Sequence, residues 1–327
     1  MVDKFKLFVT VLLLCISAYQ LHAQNRTQEF GFQSDNDSFL AQGSDRYYTN
    51  GLFLFYRRGM DFKNLKLANK VLGIEIGQKL FNAQSGGVPD STYIDRPFAG
   101  YLYAGININY LFQNESNFKI GLQAGVIGPS AKGEAVQKII HNTFGFYELN
   151  GWQNQIRNNV QLNLSVEYNK LLFREQWFDL TATVYGNVGT GFNGAGVGPL
   201  LRFGNFNQLF NSASTQSTAT RNSLTPLHKK EVFLHYKPTF NYVGYDATVQ
   251  GSIFNKTGEQ KPTREITSAP KHTLISNQVG LTYAGSRWIF DATATFNTKE
   301  VKTQVFNSHQ WGSVTVMYRF SGHKAIM

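Results

Sequence analysis

The sequence predicts an all-β protein, a transmembrane antiparallel up-and-down β-barrel of about twelve strands. Many segments alternate apolar and polar residues, as residues 118–126 do, and this period of two is typical of strands with two different faces. Aromatic residues make up 14% of the chain, which suits the aromatic girdles of membrane barrels. Apart from the N-terminus, no apolar run reaches the roughly 18 residues of a spanning helix. A membrane form of this chain must therefore close into a barrel, because only closure satisfies every backbone group in lipid.

Twelve segments carry the strand pattern, and an even number is usual in single-chain outer-membrane barrels. The last segment ends on an aromatic residue, Phe320, which resembles the insertion signal of bacterial outer-membrane proteins, although seven residues follow it. The predicted strands are 27–34, 49–57, 71–80, 98–112, 116–127, 158–172, 177–189, 196–204, 231–243, 272–284, 287–298 and 309–320.

The lengths of the connections orient the predicted barrel. Short turns follow strands 4, 6 and 10, and short turns mark the periplasmic rim of such barrels. The loops after odd-numbered strands are therefore expected on the extracellular side, where residues far apart in the chain can meet. Residues 205–230 break this rule, because they form a long Asn/Ser/Thr-rich connection on the predicted periplasmic side. We interpret them as a polar loop with freedom to move.

Residues 1–23 are predicted to be a cleaved signal peptide. Lys4 gives a positive start, residues 8–16 form an apolar core, and Ala23 supplies a small residue before the cleavage point. The only cysteine, Cys15, lies inside this segment, which excludes disulfides and thiolate metal sites from the mature chain. Residues 24–327 are then expected to form one barrel domain in the bacterial outer membrane.

The mature chain is basic. Removing Lys4, Lys6 and Asp3 leaves 29 Lys+Arg and 20 Asp+Glu, a net charge of +9. Such a balance favours anionic partners, namely nucleic acid or phosphate-rich lipid headgroups, although a solvated basic surface gives the same count. Export makes nucleic acid the weaker candidate. We therefore expect a monomer that contacts outer-membrane lipids and no nucleic acid.

Two polar segments stand apart from the strand pattern, residues 35–51 and 126–156. The first begins Asp35-Asn36-Asp37, whose oxygen-bearing side chains suit a hard cation such as Ca²⁺, although an Asx-rich turn has the same composition. Thr49 opens strand 2 opposite this run. Both segments fall on the predicted extracellular rim, so their side chains can form one site.

The second segment contains the chain's best helix candidate, residues 131–145. A Gly-Pro-Ser turn precedes it, with Ser130 as the expected N-cap. Gln137 and His141 are four residues apart and share one helix face. A neutral histidine there can act as a general base toward water, but a histidine that only caps or hydrogen-bonds a loop is the commoner case.

The segments DNDSFLAQGSDRYYTNG (35–51), DRPFAGYLYAG (95–105) and VIGPSAKGEAVQKIIHNTFGFYELNGWQNQI (126–156) resemble the outer-membrane lipid A 3′-O-deacylase family, that is, LpxR-like proteins. Their order and spacing agree with that family over essentially the whole mature chain. The resemblance implies a twelve-stranded barrel, an active site between the barrel wall and a loop helix, and dependence on Ca²⁺. It implies hydrolysis of the ester that links the acyloxyacyl chain to the 3′ position of lipid A.

The resemblance also implies roles for individual residues. His141 would be the general base, and Asn36, Thr49 and Gln137 would complete the catalytic set. Asp37 would bind the metal ion. The family places an acidic residue after the histidine; that position falls on Tyr147 by count, and we assign the metal-binding role to its neighbour Glu148. The family's basic residues in the loop after strand 3 have Arg96 as their nearest counterpart.

Three functional hypotheses follow from the sequence. The first is the calcium-dependent lipid A 3′-O-deacylase, a carboxylic ester hydrolase that modifies lipopolysaccharide. The second is a passive outer-membrane porin or lipid-binding barrel, in which the rim residues are structural. The third is a family member that acts on another lipid ester, because the acidic residue is displaced by one position.

Overall fold

The computed structural model describes residues 26–40, 45–254 and 264–321. The predicted signal peptide, residues 1–23, lies outside the described residues, as do residues 322–327. Within the described part of the chain, no helix is long and apolar enough to cross a membrane.

The twelve predicted strands form one closed antiparallel barrel, which confirms the predicted fold class. Each strand pairs with its neighbours in the sequence, and β1 pairs with β12 to close the sheet, from Gln28 opposite Phe320 to Asn36 opposite Gly312. The strands are β1 (Gln28–Asn36), β2 (Tyr48–Gly59), β3 (Leu67–Phe81), β4 (Ala99–Phe112), β5 (Ser116–Ile127), β6 (Asn159–Arg174), β7 (Phe178–Gly189), β8 (Phe192–Asn205), β9 (Glu231–Asp246), β10 (Thr273–Ala284), β11 (Trp288–Thr298) and β12 (Ser308–Phe320).

Side chains alternate between the outside of the barrel and its lumen. On β3, Ile74 and Ile76 are exposed on the outside, and Glu75 between them accepts a hydrogen bond from the Tyr103 hydroxyl of β4, 2.5 Å away, in the lumen. An apolar exterior and a polar interior are what a lipid-embedded barrel requires. The period of two in the sequence therefore records which side of each strand meets lipid.

We call the end of the barrel with the loops that follow odd-numbered strands the upper rim. It carries two short α-helices, α1 (Gly133–Phe144) and α2 (Ala247–Gln250). The sequence located α1 correctly but not its start. Ser130 belongs to a preceding 3-10 helix, and Lys132 adopts a left-handed conformation (φ 59°) that turns the chain into α1 at Gly133.

The start of α1 lies against the outer surface of the barrel wall. A Cβ atom on Gly133 would come within 2.7 Å of the Trp152 ring and 3.0 Å of Leu80, and Gly100 of β4 approaches its backbone. Leu80 and Gly100 stand opposite each other on β3 and β4. Glycine is required here because the helix must approach the wall this closely.

The segment 206–230 between β8 and β9, which we call the plug segment, corrects the prediction of a loop with freedom to move. Ser212 and Ser217 are fully buried, and the Glu231 carboxylate accepts hydrogen bonds from the backbone of Asn207 and Ala213 and from the Ser212 hydroxyl, at 2.7–2.9 Å. The Asn/Ser/Thr-rich composition suits a polar lumen as well as it suits solvent. This is why composition alone did not locate the segment.

The plug segment is hydrogen-bonded around most of the barrel circumference. Seven strands contact it through polar side chains: Glu29 of β1, Asn69 of β3, Asn109 of β4, Lys119 of β5, Arg202 of β8, Glu231 of β9 and Arg319 of β12. A segment tied to so many strands lies across the lumen. It obstructs the barrel at the lower rim.

Candidate active site

The polar residues at the end of β1 and the start of β2 project from the outer surface of the wall. Phe30 and Phe32 of β1 and Leu52 of β2 are exposed to the outside, and side chains alternate along a strand. Asn36 and Asn50 therefore share the outer face. They stand directly opposite each other, and the Asn36 amide donates to the Asn50 Oδ1 at 2.7 Å.

Helix α1 runs along this row of the wall. Asn50 is opposite Leu80 of β3, which is opposite Gly100 of β4. Three interstrand spacings cover about 14 Å, and the twelve residues of α1 extend about 18 Å. A helix that begins over Leu80 and Gly100 can therefore bring its last turn to the loop between β1 and β2, and His141 lies there.

The centre of the site is Asp45, in the β1–β2 loop. Its Oδ2 is 2.6 Å from His141 Nε2, and it accepts hydrogen bonds from Gln137 Nε2 at 3.0 Å and from the Tyr147 hydroxyl at 2.9 Å. Its Oδ1 accepts from the Thr49 hydroxyl at 3.1 Å. One carboxylate thus joins the two polar segments of the sequence.

The orientation of His141 follows from its second contact. Nδ1 lies 2.7 Å from the backbone carbonyl of Tyr147. A carbonyl can only accept, so Nδ1 carries the hydrogen, and Nε2 is the nitrogen that can take up a proton. Gly145, with a left-handed conformation (φ 72°), ends the helix and returns the chain so that the Tyr147 carbonyl reaches the ring.

Gln137 is fixed by two partners on opposite sides of its amide. Its nitrogen donates to Asp45, and its Oε1 accepts from the indole nitrogen of Trp152 at 2.8 Å. Gly133, Gln137 and His141 are the buried residues of α1, at spacings of four that place them on one face. The helix therefore presents a single polar face to the wall and to the β1–β2 loop.

Asp37 lies beside this face in a buried position, with 1% of its surface exposed. Its Oδ2 accepts from the backbone nitrogen of Arg46 at 2.8 Å, whereas its Oδ1 has no hydrogen-bond partner. Burial raises the pKa of the Asp37 carboxyl to about 7, and the negative charge of Asp45 adds to the rise. We call Asp37, Asp45, Thr49, Gln137 and His141 the His141 cluster.

Five residues that the sequence singled out lie in or beside this cluster, and two lie apart from it. Asn36, Asp37, Gln137 and His141 come together with Thr49 as described above. Glu148 is exposed, and its side chain has no hydrogen bond or ion pair to the described residues of the cluster. Arg96 is buried in the wall of the lumen, where it donates to the Thr248 hydroxyl at 3.0 Å.

Sequence reasoning missed Asp45 and the hydroxyl of Tyr147. Partial desolvation of the Tyr147 hydroxyl and its contact with Asp45 raise the pKa of that hydroxyl, so it remains a donor at neutral pH. Asp45 and His141 are 96 residues apart, and nothing local in the sequence joins them. The available signal was the aspartate of D-R-Y-Y-T, four residues before Thr49, within a segment already identified as polar.

The oxygen atoms around Asp37 are candidate ligands for a metal ion. The described residues contain no group of three or more His, Cys, Asp or Glu side chains that could hold one. Ca²⁺, however, also accepts amide and hydroxyl oxygens. The unpaired, buried Asp37 Oδ1, with the Thr49 hydroxyl and Asn36 close by, fits a hard cation held by oxygen atoms of mixed type.

Fold and site together define a class: an outer-membrane β-barrel with a histidine–carboxylate cluster on the outer surface of its wall. The comparisons agree with this class. The family model of outer membrane protein LpxR matches residues 7–320, and the chain therefore belongs to that family. A search of curated proteins returned no match to this chain.

A solved structure shows the same fold. LpxR from Salmonella typhimurium matches with a TM-score of 0.71 at 21% identity, over 89% of this chain and 100% of that one. The translocator domain of autotransporter NalP from Neisseria meningitidis has a TM-score of 0.43 at 11% identity, over 98% of this chain and 97% of that one. The β domain of the Bordetella autotransporter BrkA has a TM-score of 0.42 at 10% identity, over 91% and 100%.

Proposed function

We propose that this protein is a calcium-dependent lipid A 3′-O-deacylase, with its site on the extracellular side of the outer membrane. It hydrolyses the ester that joins the acyloxyacyl chain to the 3′ position of lipid A. One observation carries this proposal: the His141 cluster lies between α1 and the lipid-facing surface of the wall, next to the apolar band. A lipid of the outer leaflet can reach such a site without entering the barrel.

The position of the cluster suits the ester group of a membrane lipid. Asn36 and Asn50 are two residues above Ser34 and the exposed Leu52, a distance of about 7 Å along a strand. Phe32 and Leu54, exposed on the same face, follow on the next level. A lipid whose acyl chain lies along the apolar residues would place its ester carbonyl beside the polar row.

The His141 side chain supplies the base. With Nδ1 donating to the Tyr147 carbonyl, Nε2 is the basic nitrogen, and Asp45 Oδ2 lies 2.6 Å from it. Once water displaces that carboxylate oxygen from Nε2, Nε2 takes a proton from the water, and the water oxygen attacks the acyl carbon. The bond between that carbon and the sugar oxygen breaks, the sugar oxygen takes up a proton, and the released fatty acid keeps the oxygen of the water. Gln137 and Thr49 position the site by holding the Asp45 carboxylate beside the imidazole.

Asp37, Asn36 and Thr49 would hold the calcium ion. When bound, the ion supplies positive charge that stabilises the oxyanion formed at the ester carbonyl. The chain's own contribution is to keep Asp37 buried with one oxygen unpaired, so that the carboxylate is available to a cation and not to solvent.

The porin hypothesis finds no support in the lumen. The plug segment is hydrogen-bonded to seven strands and lies across the lower end of the barrel. The cluster with catalytic residue types is on the opposite side of the wall from the lumen. The obstructed lumen does not suit a passive pore, whereas the cluster on the outside of the wall suits a lipid hydrolase.

Mass spectrometry of lipid A tests the proposal. Lipid A is incubated with the purified protein and Ca²⁺, and the expected result is loss of the 3′-linked acyloxyacyl chain. His141→Ala should lower the rate at least 100-fold, since general-base catalysis contributes about 10²–10⁴. His235→Ala is the matched control, because His235 forms a second histidine–carboxylate pair with Asp291, in the lumen, at 3.2 Å. Unchanged lipid A, loss of a different chain, or activity that survives His141→Ala would refute it.

A further inference from the structure

The site lacks a carboxylate at the place where counting along the chain expects one. The sixth residue after His141 is Tyr147, whose hydroxyl donates to Asp45 and accepts from the backbone nitrogen of Gly86 at 3.2 Å. Its neighbour Glu148 is exposed, and its side chain forms no hydrogen bond or ion pair with the described residues of the His141 cluster. A second carboxylate beside Asp37, which the resemblance implies, would therefore come from elsewhere in the chain.

Asp45 meets this requirement by position. It reaches the cluster from the β1–β2 loop, and its two oxygens contact His141, Gln137 and Thr49. The Thr49 hydroxyl also lies near Asp37, where it lowers the pKa of that carboxyl, so one hydroxyl is close to both carboxylates. No other carboxylate among the described residues contacts both Thr49 and His141.

The surroundings of Asp37 indicate that a bound cation would stabilise the two carboxylates, Asp37 and Asp45. Its Oδ1 is buried and has no hydrogen-bond partner, which costs free energy that an oxygen-binding cation would offset. Two like charges in a poorly solvated site repel each other. Arg46, the basic residue next to Asp45 in the chain, has its guanidinium over the Phe306 ring at 3.7 Å and contacts Asp37 through its backbone nitrogen.

We propose that Asp45 is the second carboxylate of the cation site, and that it takes the metal-binding role that the sequence analysis assigned to Glu148. The inference rests on the proposed function for the presence of a cation. It adds that the cation and the base share one side chain, because Asp45 also contacts His141 Nε2. The β1–β2 loop then supplies both carboxylates, and α1 supplies the base and the amide.

Calcium binding to the detergent-solubilised protein tests this assignment without reference to lipid. Isothermal titration with Ca²⁺ is combined with Tb³⁺ luminescence excited through the aromatic residues of the site. Asp45→Asn and Glu148→Gln make the same change from carboxylate to amide at the two rival positions. We expect Asp45→Asn to weaken Ca²⁺ binding at least tenfold and Glu148→Gln to bind as the parent does.

Three results would overturn the inference. They are parental affinity in Asp45→Asn, an equal loss in Glu148→Gln, and a parent protein that binds no Ca²⁺. Asp45→Glu distinguishes loss of charge from local misfolding, because it keeps a carboxylate and should bind more tightly than Asp45→Asn. The lipid A assay and the calcium titration test separate claims. If the protein cleaves lipid A and Asp45→Asn keeps the parental calcium affinity, only the assignment of Asp45 is refuted. If the protein binds Ca²⁺ through Asp45 but leaves lipid A intact, only the proposed function is refuted.

Discussion

At the scale of single residues, the site is a set of buried polar groups that hydrogen-bond to partners far away in the chain. Asp45 contacts the side chains of residues 92 to 102 positions later. The sequence could predict which residue types lie at the rim, since strand order follows from local alternation. It could not predict that Asp45 would be central or that Glu148 would be exposed, because a shift of one residue in a loop reverses which side chain points inward.

The raised pKa of Asp37 predicts how the stability of the protein depends on pH. With EDTA present, the pKa of about 7 in the folded protein exceeds the usual 3.8, so between these values the folded state binds more protons than the unfolded state. The free energy of unfolding should therefore fall as pH rises through this window, by up to about 4 kcal/mol. Asp37→Asn should remove this slope in urea titrations at pH 4–8. The exposed Asp61→Asn is the control, and a slope that persists in Asp37→Asn contradicts the account.

At the scale of elements, α1 matters because of where it sits. The pattern of residues 131–145 predicted a helix and placed Gln137 and His141 on one face, and both are confirmed. The start of the helix was predicted wrongly, because Gly133 must lie against Leu80 and Trp152. That requirement comes from packing against Gly100 and Leu80, 33 and 53 residues earlier, and against Trp152, 19 residues later, and no local capping signal reports it.

Gly133→Ala tests whether this close packing of the helix start against the wall is required. Alanine ordinarily favours a helix over glycine by about 1 kcal/mol, but here its Cβ would lie 2.7 Å from the Trp152 ring. Overpacking of this kind costs about 1–3 kcal/mol. We expect the helix to shift and kcat/KM for lipid A to fall about tenfold or more. Asn142→Ala, an exposed substitution on the same helix, should leave kcat/KM unchanged, and parental activity in Gly133→Ala would refute the role of this contact.

At the scale of the whole molecule, the barrel separates two polar environments. The lumen is polar and is crossed by the plug segment, whereas the His141 cluster lies outside the wall. The sequence predicted the number and order of strands because alternation is a local property. It could not distinguish a polar loop in solvent from one inside the lumen, since both require the same residue types.

Ion conductance tests the role of the plug segment. In planar bilayers the parent protein should show no steady current. Glu231→Ala removes the carboxylate that accepts from Asn207, Ser212 and Ala213, and it should produce intermittent openings. Glu175→Ala, at an exposed lower-rim turn, is the control and should behave as the parent does. A steady open pore in the parent would contradict the described closure.

The central claim is that water activated by His141 attacks a lipid ester on the outside of the barrel wall. The lipid A incubation carried out in H₂¹⁸O tests it most directly, by mass spectrometry of the released acid. The account predicts one ¹⁸O in the carboxyl group of the released 3′ acyloxyacyl chain and no label in the sugar hydroxyl. With His141→Ala, neither the released acid nor the deacylated sugar should form. An unlabelled acid, a labelled sugar, or the same labelled acid from His141→Ala would contradict it.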